Sequence, residues 1–234
     1  MNWIIPRMWE NEDVWILGGG PSVTKQFGIP DEIVRSVVER TSPPSVYSPY
    51  MEAIHNKHVI GVNVSFMIGD WMDIVFFGDN GFLLRYEEPL SKYPGIRATC
   101  TDQMPDIPSW IKKLDKDRDH PKGISTRPGH VSWNHNSGGA AINIAVAAGA
   151  ARIILLGFDM NLTTNLRQHW HDVYQKGEQH DEKIRMTTLA NMDRHLRAFP
   201  QIALDARKMG IEILNASPTS EIKEFVKVPL EYLL

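Results

Sequence analysis

The sequence predicts an α/β protein with a Rossmann-like, doubly wound and mainly parallel sheet. Short apolar runs rich in Ile and Val recur along the chain and end abruptly in Gly, Asn or Asp. The runs are continuous rather than alternating, as in strands that helices cover on both faces. Helical patterns fall between them, which is typical of a parallel sheet. The five predicted strands are residues 14–17, 58–62, 73–77, 152–156 and 211–214.

Three helices are predicted in the second half of the chain. Residues 138–149 are rich in alanine, so this helix can approach the sheet closely, and Gly149 ends it. Residues 182–199 carry apolar side chains at close to a 3.6-residue period. Pro200 breaks that pattern and is a good first-turn residue for a further helix, which Gly210 closes.

Length and composition favour one domain over residues 1–234. With 234 residues, of which 42% are hydrophobic, the chain can bury a substantial core, which excludes a disordered regulator. The net charge of −3 argues against duplex nucleic acid as a partner. The single cysteine, Cys100, excludes an intrachain disulfide and favours a reducing compartment. With no signal-peptide pattern and no apolar stretch long enough to span a membrane, we expect a cytoplasmic protein; a homo-oligomer is left open.

Two stretches resist assignment. Residues 41–57 and 101–136 are rich in Pro, Ser, Asp and His. Long irregular segments of this kind are usually active-site loops, lids or insertions, so we expect residues 101–136 to form a loop-rich, mobile insertion or lid. Within it, residues 109–113 are predicted to form a short helix.

Unusual polar residues follow the predicted strands directly. The carboxyl ends of parallel strands share one edge of a sheet, and ligands bind there. We therefore expect these residues to converge on one site. They are Gly18, Gly19, Gly20, Pro21 and Ser22 after the first strand, Asn63 after the second, Asp79 after the third and Asp159 after the strand at residues 152–156, expected as the fifth or sixth of the sheet. Asn136, Ser137 and Gly138, which begin the alanine-rich helix, should open on the same edge.

The glycine-rich segment Gly18–Ser22 predicts close approach of the backbone to a ligand, with exposed amides that cradle phosphate. It lacks the Gly-Lys-Ser/Thr ending of a nucleotide-kinase P-loop. It also lacks the third glycine of the dinucleotide fingerprint, and no acidic residue ends the second strand, so NAD is disfavoured. Ser137 is predicted to be the N-cap of its helix, whose first-turn amides attract an anion. A tight turn without ligand remains the alternative for the glycines.

The aspartates and histidines of the predicted site suit either acid–base catalysis or metal binding. Asp79 and Asp159 could hold Mg²⁺ if the reaction depends on it. His169, His171 and His180 are the candidate catalytic residues, with Asp159, because histidine suits proton transfer at neutral pH. A zinc or iron site at residues 169–172, or plain surface histidines, are the alternatives.

The order of these motifs resembles the MptE-like superfamily. The matching segments are Val-Trp-Ile-Leu-Gly-Gly-Gly-Pro-Ser at 14–22, Gly-Val-Asn at 61–63, Gly-Asp at 78–79, Asn-Ser-Gly-Gly-Ala-Ala at 136–141 and Gly-Phe-Asp at 157–159. That superfamily joins hydroxymethylpterin diphosphokinases, motility-accessory glycosyltransferase-like proteins and small bacterial sialyltransferases. Small phage-encoded members are common in it, and we expect this chain to be one of them.

The resemblance implies a transferase that binds a nucleotide-activated donor. A glycosyltransferase that moves a sugar from a nucleotide sugar to a hydroxyl acceptor, with a histidine as general base, is the favoured function. The alternatives are a diphosphokinase that acts on a pterin-like alcohol and a nucleotide-binding module without activity. In the sialyltransferases an Asn that touches the nucleotide stands second in the glycine loop, where this chain has Gly19. The catalytic histidine of the sialyltransferases matches the placement of His180, and the spacing in MptE-like proteins matches His169 and His171.

Overall fold

Buried apolar strands pair into one parallel sheet in the computed structural model, which describes residues 2–102, 106–163, 167–171 and 182–234. In chain order the strands are β1 (Asp13–Leu17), β2 (His58–Val62), β3 (Ile74–Phe77), β4 (Ile96–Thr99), β5 (Ile111–Lys113), β6 (Asp115–Lys116), β7 (His130–Val131), β8 (Arg152–Leu156), β9 (Glu212–Asn215) and β10 (Val226–Lys227). Eight of them form the sheet in the order β10-β9-β8-β1-β2-β3-β4-β5, and every described pair in it is parallel. Strands β6 and β7 pair separately.

Helices cover both faces of the sheet. The α-helices are α1 (Ser22–Gln26), α2 (Asp31–Val38), α3 (Asn80–Ser91), α4 (Ser137–Ala147), α5 (Glu182–Leu196) and α6 (Phe199–Lys208), and 3₁₀ helices span Pro44–Ile54, Asn63–Met67 and Leu230–Tyr232. Successive residues of β1 enter two different cores, because side chains of a strand alternate between the faces. Val14 and Ile16 pack with α4 and α6, whereas Trp15 and Leu17 pack with α2 and α3. The predicted doubly wound α/β fold is confirmed.

The predicted strands match the observed ones to within one residue at each end. Gly149, at φ 102°, follows the last turn of α4 in the left-handed conformation that favours glycine. The short helix predicted over residues 109–113 is wrong: Ile111–Lys113 is the edge strand β5, paired with β4. Its three residues are too few for a period to distinguish a strand from a helix.

Cys100 lies directly after β4 and is 2% exposed. Burial raises the pKa of its thiol to about 12, so the thiol stays protonated at neutral pH. No helix in the described ranges is long and apolar enough to cross a bilayer.

A buried amide holds the segment 106–136 against α4. Asn143, on α4, is fully buried, and its Oδ1 accepts hydrogen bonds from the backbone N–H groups of Ser125 and Ser132, each at 2.9 Å. Its Nδ2 donates to the Ser125 carbonyl at 3.1 Å. One side chain therefore satisfies three backbone groups of the segment that precedes the candidate site. The mobility expected for residues 101–136 stays a prediction.

Replacing Asn143 with Ala should destabilise the protein. Two buried N–H groups and one carbonyl would lose their partners, which predicts a loss of about 2–5 kcal/mol in the free energy of unfolding. Urea denaturation measures it, with Leu84→Ala on α3 as control, since the Leu84 side chain is 65% exposed. A loss below about 1 kcal/mol would mean that water replaces the amide and that the segment is not held by it.

Candidate functional site

A pocket of about 140 Å³ opens beside the carboxyl ends of β8, β1 and β2. The chain passes from β1 outward to β5 on one side and continues at β8 on the other, so this is the switch point of the sheet. Nine residues predicted from the sequence line it: Gly18, Gly19, Gly20, Asn63, Asn136, Ser137, Gly138, Asp159 and His169. The convergence expected from the strand ends is therefore what the structure shows for these residues. Pro21, Ser22, Asp79 and His171 lie outside the lining.

The glycine loop packs too closely for any side chain. A Cβ built on Gly20 would lie 2.6 Å from both the Gly157 carbonyl oxygen and Asp159 Oδ2. A Cβ on Gly19 would lie 2.7 Å from His169 Nδ1. Glycine is required here because the exits of β1 and β8 touch.

Most amides of this loop bond to the protein itself. The N–H groups of Gly18 and Gly20 donate to the carbonyls of Leu156 and Gly157, both at 2.8 Å. Ser22 N–H donates to Asp159. Of the N–H groups from Gly18 to Ser22, only Gly19 N–H has no acceptor among the described residues. The loop thus shapes the pocket but offers a phosphate one amide rather than a cradle.

Free amides lie instead at the N-terminus of α4. Asn136 is the N-cap of this helix, and its Oδ1 accepts from Gly139 N–H at 2.5 Å. The expectation that Ser137 is the N-cap is wrong by one residue; Asn136 takes that place because its backbone is extended and its side chain reaches back. The N–H groups of Ser137 and Gly138 have no acceptor among the described residues and line the pocket. Together with the helix dipole they favour an anion.

Asp159 connects the exits of β8 and β1. Its carboxylate is 2% exposed and accepts from Ser22 N–H at 2.8 Å and from Ser22 Oγ at 2.5 Å. Burial raises the pKa of this carboxyl, and the hydrogen bonds from Ser22 and Ser217 partly offset that effect. Both oxygens are thus engaged in holding two loops together.

The two aspartates do not assemble a Mg²⁺ site in the described part of the chain. Asp79 is exposed, lies in the N-cap position of α3 and does not line the pocket. Both oxygens of Asp159 accept hydrogen bonds from Ser22. The described residues contain no group of three or more His, Cys, Asp or Glu side chains that could hold a metal ion.

Of the histidines predicted as catalytic, His169 lines the pocket. Burial lowers its pKa to about 4, and a hydrogen bond with the Gly19 backbone opposes this shift, so His169 is neutral at pH 7. The neighbouring Trp170 fixes its position: the Trp170 backbone N–H donates to the Gly19 carbonyl at 2.9 Å, and Nε1 donates to the Gly18 carbonyl at 3.1 Å.

His171 lies behind His169 rather than in the pocket. The two rings stack with 4.9 Å between centroids at 6°, and His171 is 1% exposed. Burial lowers its pKa well below the ordinary value, and His169 and Arg167 lower it further. His180 and Asp172 lie outside the described residues.

His195 is a pocket residue that the sequence analysis missed. It lies on α5, three residues after Met192, and both line the pocket. Burial lowers its pKa, Arg194 lowers it further, and the Asp79 carboxylate opposes the shift. The apolar period of this helix could have predicted the position of His195. The period places Met192 on the face that packs on the protein, and His195, three residues later, shares that face.

Strained backbone collects around the pocket. Six described non-glycine residues have a positive φ, and two of them, Asn63 and Met160, line the pocket. Two others, Asn134 and His135, directly precede Asn136. Such conformations cost of order 1–3 kcal/mol and concentrate at functional sites. Asn63 Oδ1 is buried and has no hydrogen-bond partner among the described residues. A ligand that donates a hydrogen bond would satisfy it.

Known structures share this fold. No family model and no curated protein matches the sequence. The sialyltransferase CstII from Campylobacter jejuni, solved in complex with cytidine-5'-monophosphate, is similar in structure at a TM-score of 0.50 and 13% identity, over 94% of this chain and 85% of that one. MAf glycosyltransferase from Magnetospirillum magneticum AMB-1 is similar at a TM-score of 0.57 and 11% identity, over all of this chain and 36% of that one.

Replacing Gly20 with Ala should destabilise the fold, because the new methyl meets a backbone carbonyl and a buried carboxylate. We expect a loss of about 1–3 kcal/mol in unfolding free energy, as for overpacking elsewhere. Gly81→Ala, at the start of α3, is the matched control, since nothing lies within 4 Å of its Cβ. Equal stability of the two variants in urea would show that the exits of β1 and β8 can separate.

The pH dependence of stability should report Asp159. Because its pKa is raised on folding, the folded state holds its proton to higher pH than the unfolded state, so its contribution to stability falls as pH rises above about 3.8. The difference in unfolding free energy between Asp159→Asn and the parent should therefore move in favour of the variant from pH 4 to pH 7. A difference that moves the other way would mean that the Ser22 hydrogen bonds outweigh burial.

Proposed function

We propose that the chain is a glycosyltransferase that binds a nucleotide sugar in this pocket and transfers the sugar to a hydroxyl acceptor. The observation that carries the proposal is the pair of free amides, Ser137 and Gly138, at the N-terminus of α4 inside a pocket at the switch point of the sheet. The fold shared with two glycosyltransferases, one of them bound to CMP, supports it.

The donor phosphate would bind at α4. The two N–H groups and the positive end of the helix dipole face the position where charge grows as the bond from the sugar to the phosphate breaks. Gly19 N–H, which has no acceptor among the described residues, would contribute from the glycine loop. Stabilising this leaving group in a small, partly closed pocket would supply most of the rate enhancement.

The general base would be His195. The acceptor hydroxyl attacks the anomeric carbon, its proton passes to the imidazole, and the phosphate departs with the bonding electrons. Burial lowers the pKa of His195, which favours the neutral imidazole that a base requires, and Asp79 stabilises the imidazolium that forms. His169, at a pKa of about 4, is a weaker base and would contact the donor beside Gly19.

Asn63 would help to select the donor. Its buried Oδ1 requires a hydrogen-bond donor, which a sugar hydroxyl or the amino group of a nucleobase supplies. The cytoplasmic location and the expectation of a phage-type member stay predictions.

The diphosphokinase alternative would require Mg²⁺ near Asp79 or Asp159. Both oxygens of Asp159 accept hydrogen bonds from Ser22, and Asp79 does not line the pocket. A response to ATP with Mg²⁺ in the experiment below would favour this alternative.

Calorimetric titration tests the donor class. We expect CMP, the nucleotide bound by the similar sialyltransferase, or one of UDP and GDP to bind, and the matching nucleotide sugar to be consumed when acceptors are added. Gly138→Ala should weaken nucleotide binding, because its Cβ would lie 2.7 Å from the Phe158 ring and shift the helix start. Binding without turnover in long incubations would favour a module without activity.

His195→Ala should lower turnover about 10²–10⁴-fold with little change in nucleotide affinity. Activity of the parent should fall as pH drops through the lowered pKa of His195, since protonation removes the base. His169→Ala should instead weaken nucleotide binding. His120→Ala is the control, because that side chain is 76% exposed and lies outside the pocket.

The histidine series also tests the sequence-based candidates. Loss of turnover in His180→Ala with His195→Ala unaffected would assign the base to His180. Equal turnover in the variants of His169, His171, His180 and His195 would contradict acid–base catalysis by any of them.

A further inference from the structure

Trp133, His135 and Arg194 lie next to pocket residues along the chain, because Trp133 and His135 precede Asn136 and Arg194 precedes His195. The two segments meet where Asn136 Nδ2 donates to the His195 carbonyl at 3.5 Å. Trp133 is half-buried and lies just before the N-cap of α4. Its Nε1 donates to His135 Nδ1 at 3.2 Å, with the rings edge to face at 5.2 Å. Lys116 Nζ lies 5.8 Å from the centroid of the indole ring. We call Lys116, Lys122, Trp133, His135 and Arg194 the basic rim.

The basic rim carries unbalanced positive charge. Asp102 accepts hydrogen bonds from Lys116 at 2.8 Å and from Arg118 at 3.0 Å, so one carboxylate offsets one of these two positive charges. Lys122 and Arg194 are exposed and form no ion pair with any described carboxylate. Burial lowers the pKa of His135, and Arg194, Lys122 and Lys116 lower it further, which shows that their fields overlap there.

The position of the basic rim next to His195, the proposed base, indicates which substrate the rim would contact. Arg194 is the neighbour of His195 in the chain and lowers the pKa of that imidazole as well. Groups that flank the base lie on the acceptor side, since the base must reach the acceptor hydroxyl. The donor phosphate has its own site at the free amides of Ser137 and Gly138.

We propose that the acceptor is an acidic sugar, whose carboxylate binds Arg194 and Lys122 and whose apolar ring face stacks on Trp133. Guanidinium and ammonium groups form charge-assisted hydrogen bonds with carboxylates. An indole offers a flat apolar surface to the C–H face of a sugar. This inference rests on the proposed glycosyl transfer and names its acceptor class.

The test compares glucuronic acid with its methyl ester as acceptor-side probes, titrated into the full chain and followed by NMR. We expect the acid to bind about 3- to 5-fold more tightly, as for exposed ion pairs. Arg194→Glu and Lys122→Glu should abolish this preference. Arg207→Glu and Lys208→Glu, at the exposed C-terminal end of α6, are the matched charge reversals and should keep it. Trp133→Ala should weaken both probes equally.

CMP affinity, measured on the same variants, separates this inference from the proposed function. Unchanged CMP binding with loss of the acid preference supports the acceptor assignment. Equal binding of acid and ester by the parent, no binding of either, or a preference that survives both reversals would overturn it. A collapse of CMP binding in Arg194→Glu and Lys122→Glu would assign the rim to the donor and overturn it as well. An intact acid preference without any nucleotide binding would contradict only the proposed function.

Discussion

The close contact between the exits of β1 and β8 is the constraint on which the site depends. Gly20 donates to the Gly157 carbonyl, and Asp159 accepts two hydrogen bonds from Ser22. A side chain at Gly20 would have no space between them. Because the loops after β1 and β8 are hydrogen-bonded to each other, their backbone is held in one conformation. The pocket lies beside these two loops.

The same contact leaves few free amides in the glycine loop. Its amides are mostly occupied within the protein, whereas Ser137 and Gly138 keep theirs free at the start of α4. The chain therefore divides two tasks that a P-loop combines: the glycines allow close packing, and the helix N-terminus offers the charge. The two residues that precede Asn136 adopt left-handed backbone conformations, which cost free energy. They direct the N-terminus of α4 at the pocket.

Much of the fold could be predicted from continuous apolar runs, because strands buried on both faces leave a clear signal. Strand β5 could not, since three residues show no period and only pairing with β4 defines it. At the site, the strand-exit rule placed Gly18–Gly20, Asn63 and Asp159 correctly around one pocket. It could not show that loop amides bond internally, which depends on contacts between β1 and β8, nor that His195 reaches the pocket from a helix distant in sequence.

Backbone amide NMR with CMP titrated into the ¹⁵N-labelled chain tests whether a nucleotide phosphate binds the free amides at the N-terminus of α4. We expect the largest shifts at the free N–H groups of Ser137, Gly138 and Gly19, and small shifts at Gly20 and Ser22, whose hydrogen bonds are internal. Gly149 and Gly210, which follow α4 and α6 at the opposite edge of the sheet, should not move. The largest shifts at Gly149 and Gly210, with Ser137 and Gly138 unchanged, would contradict it.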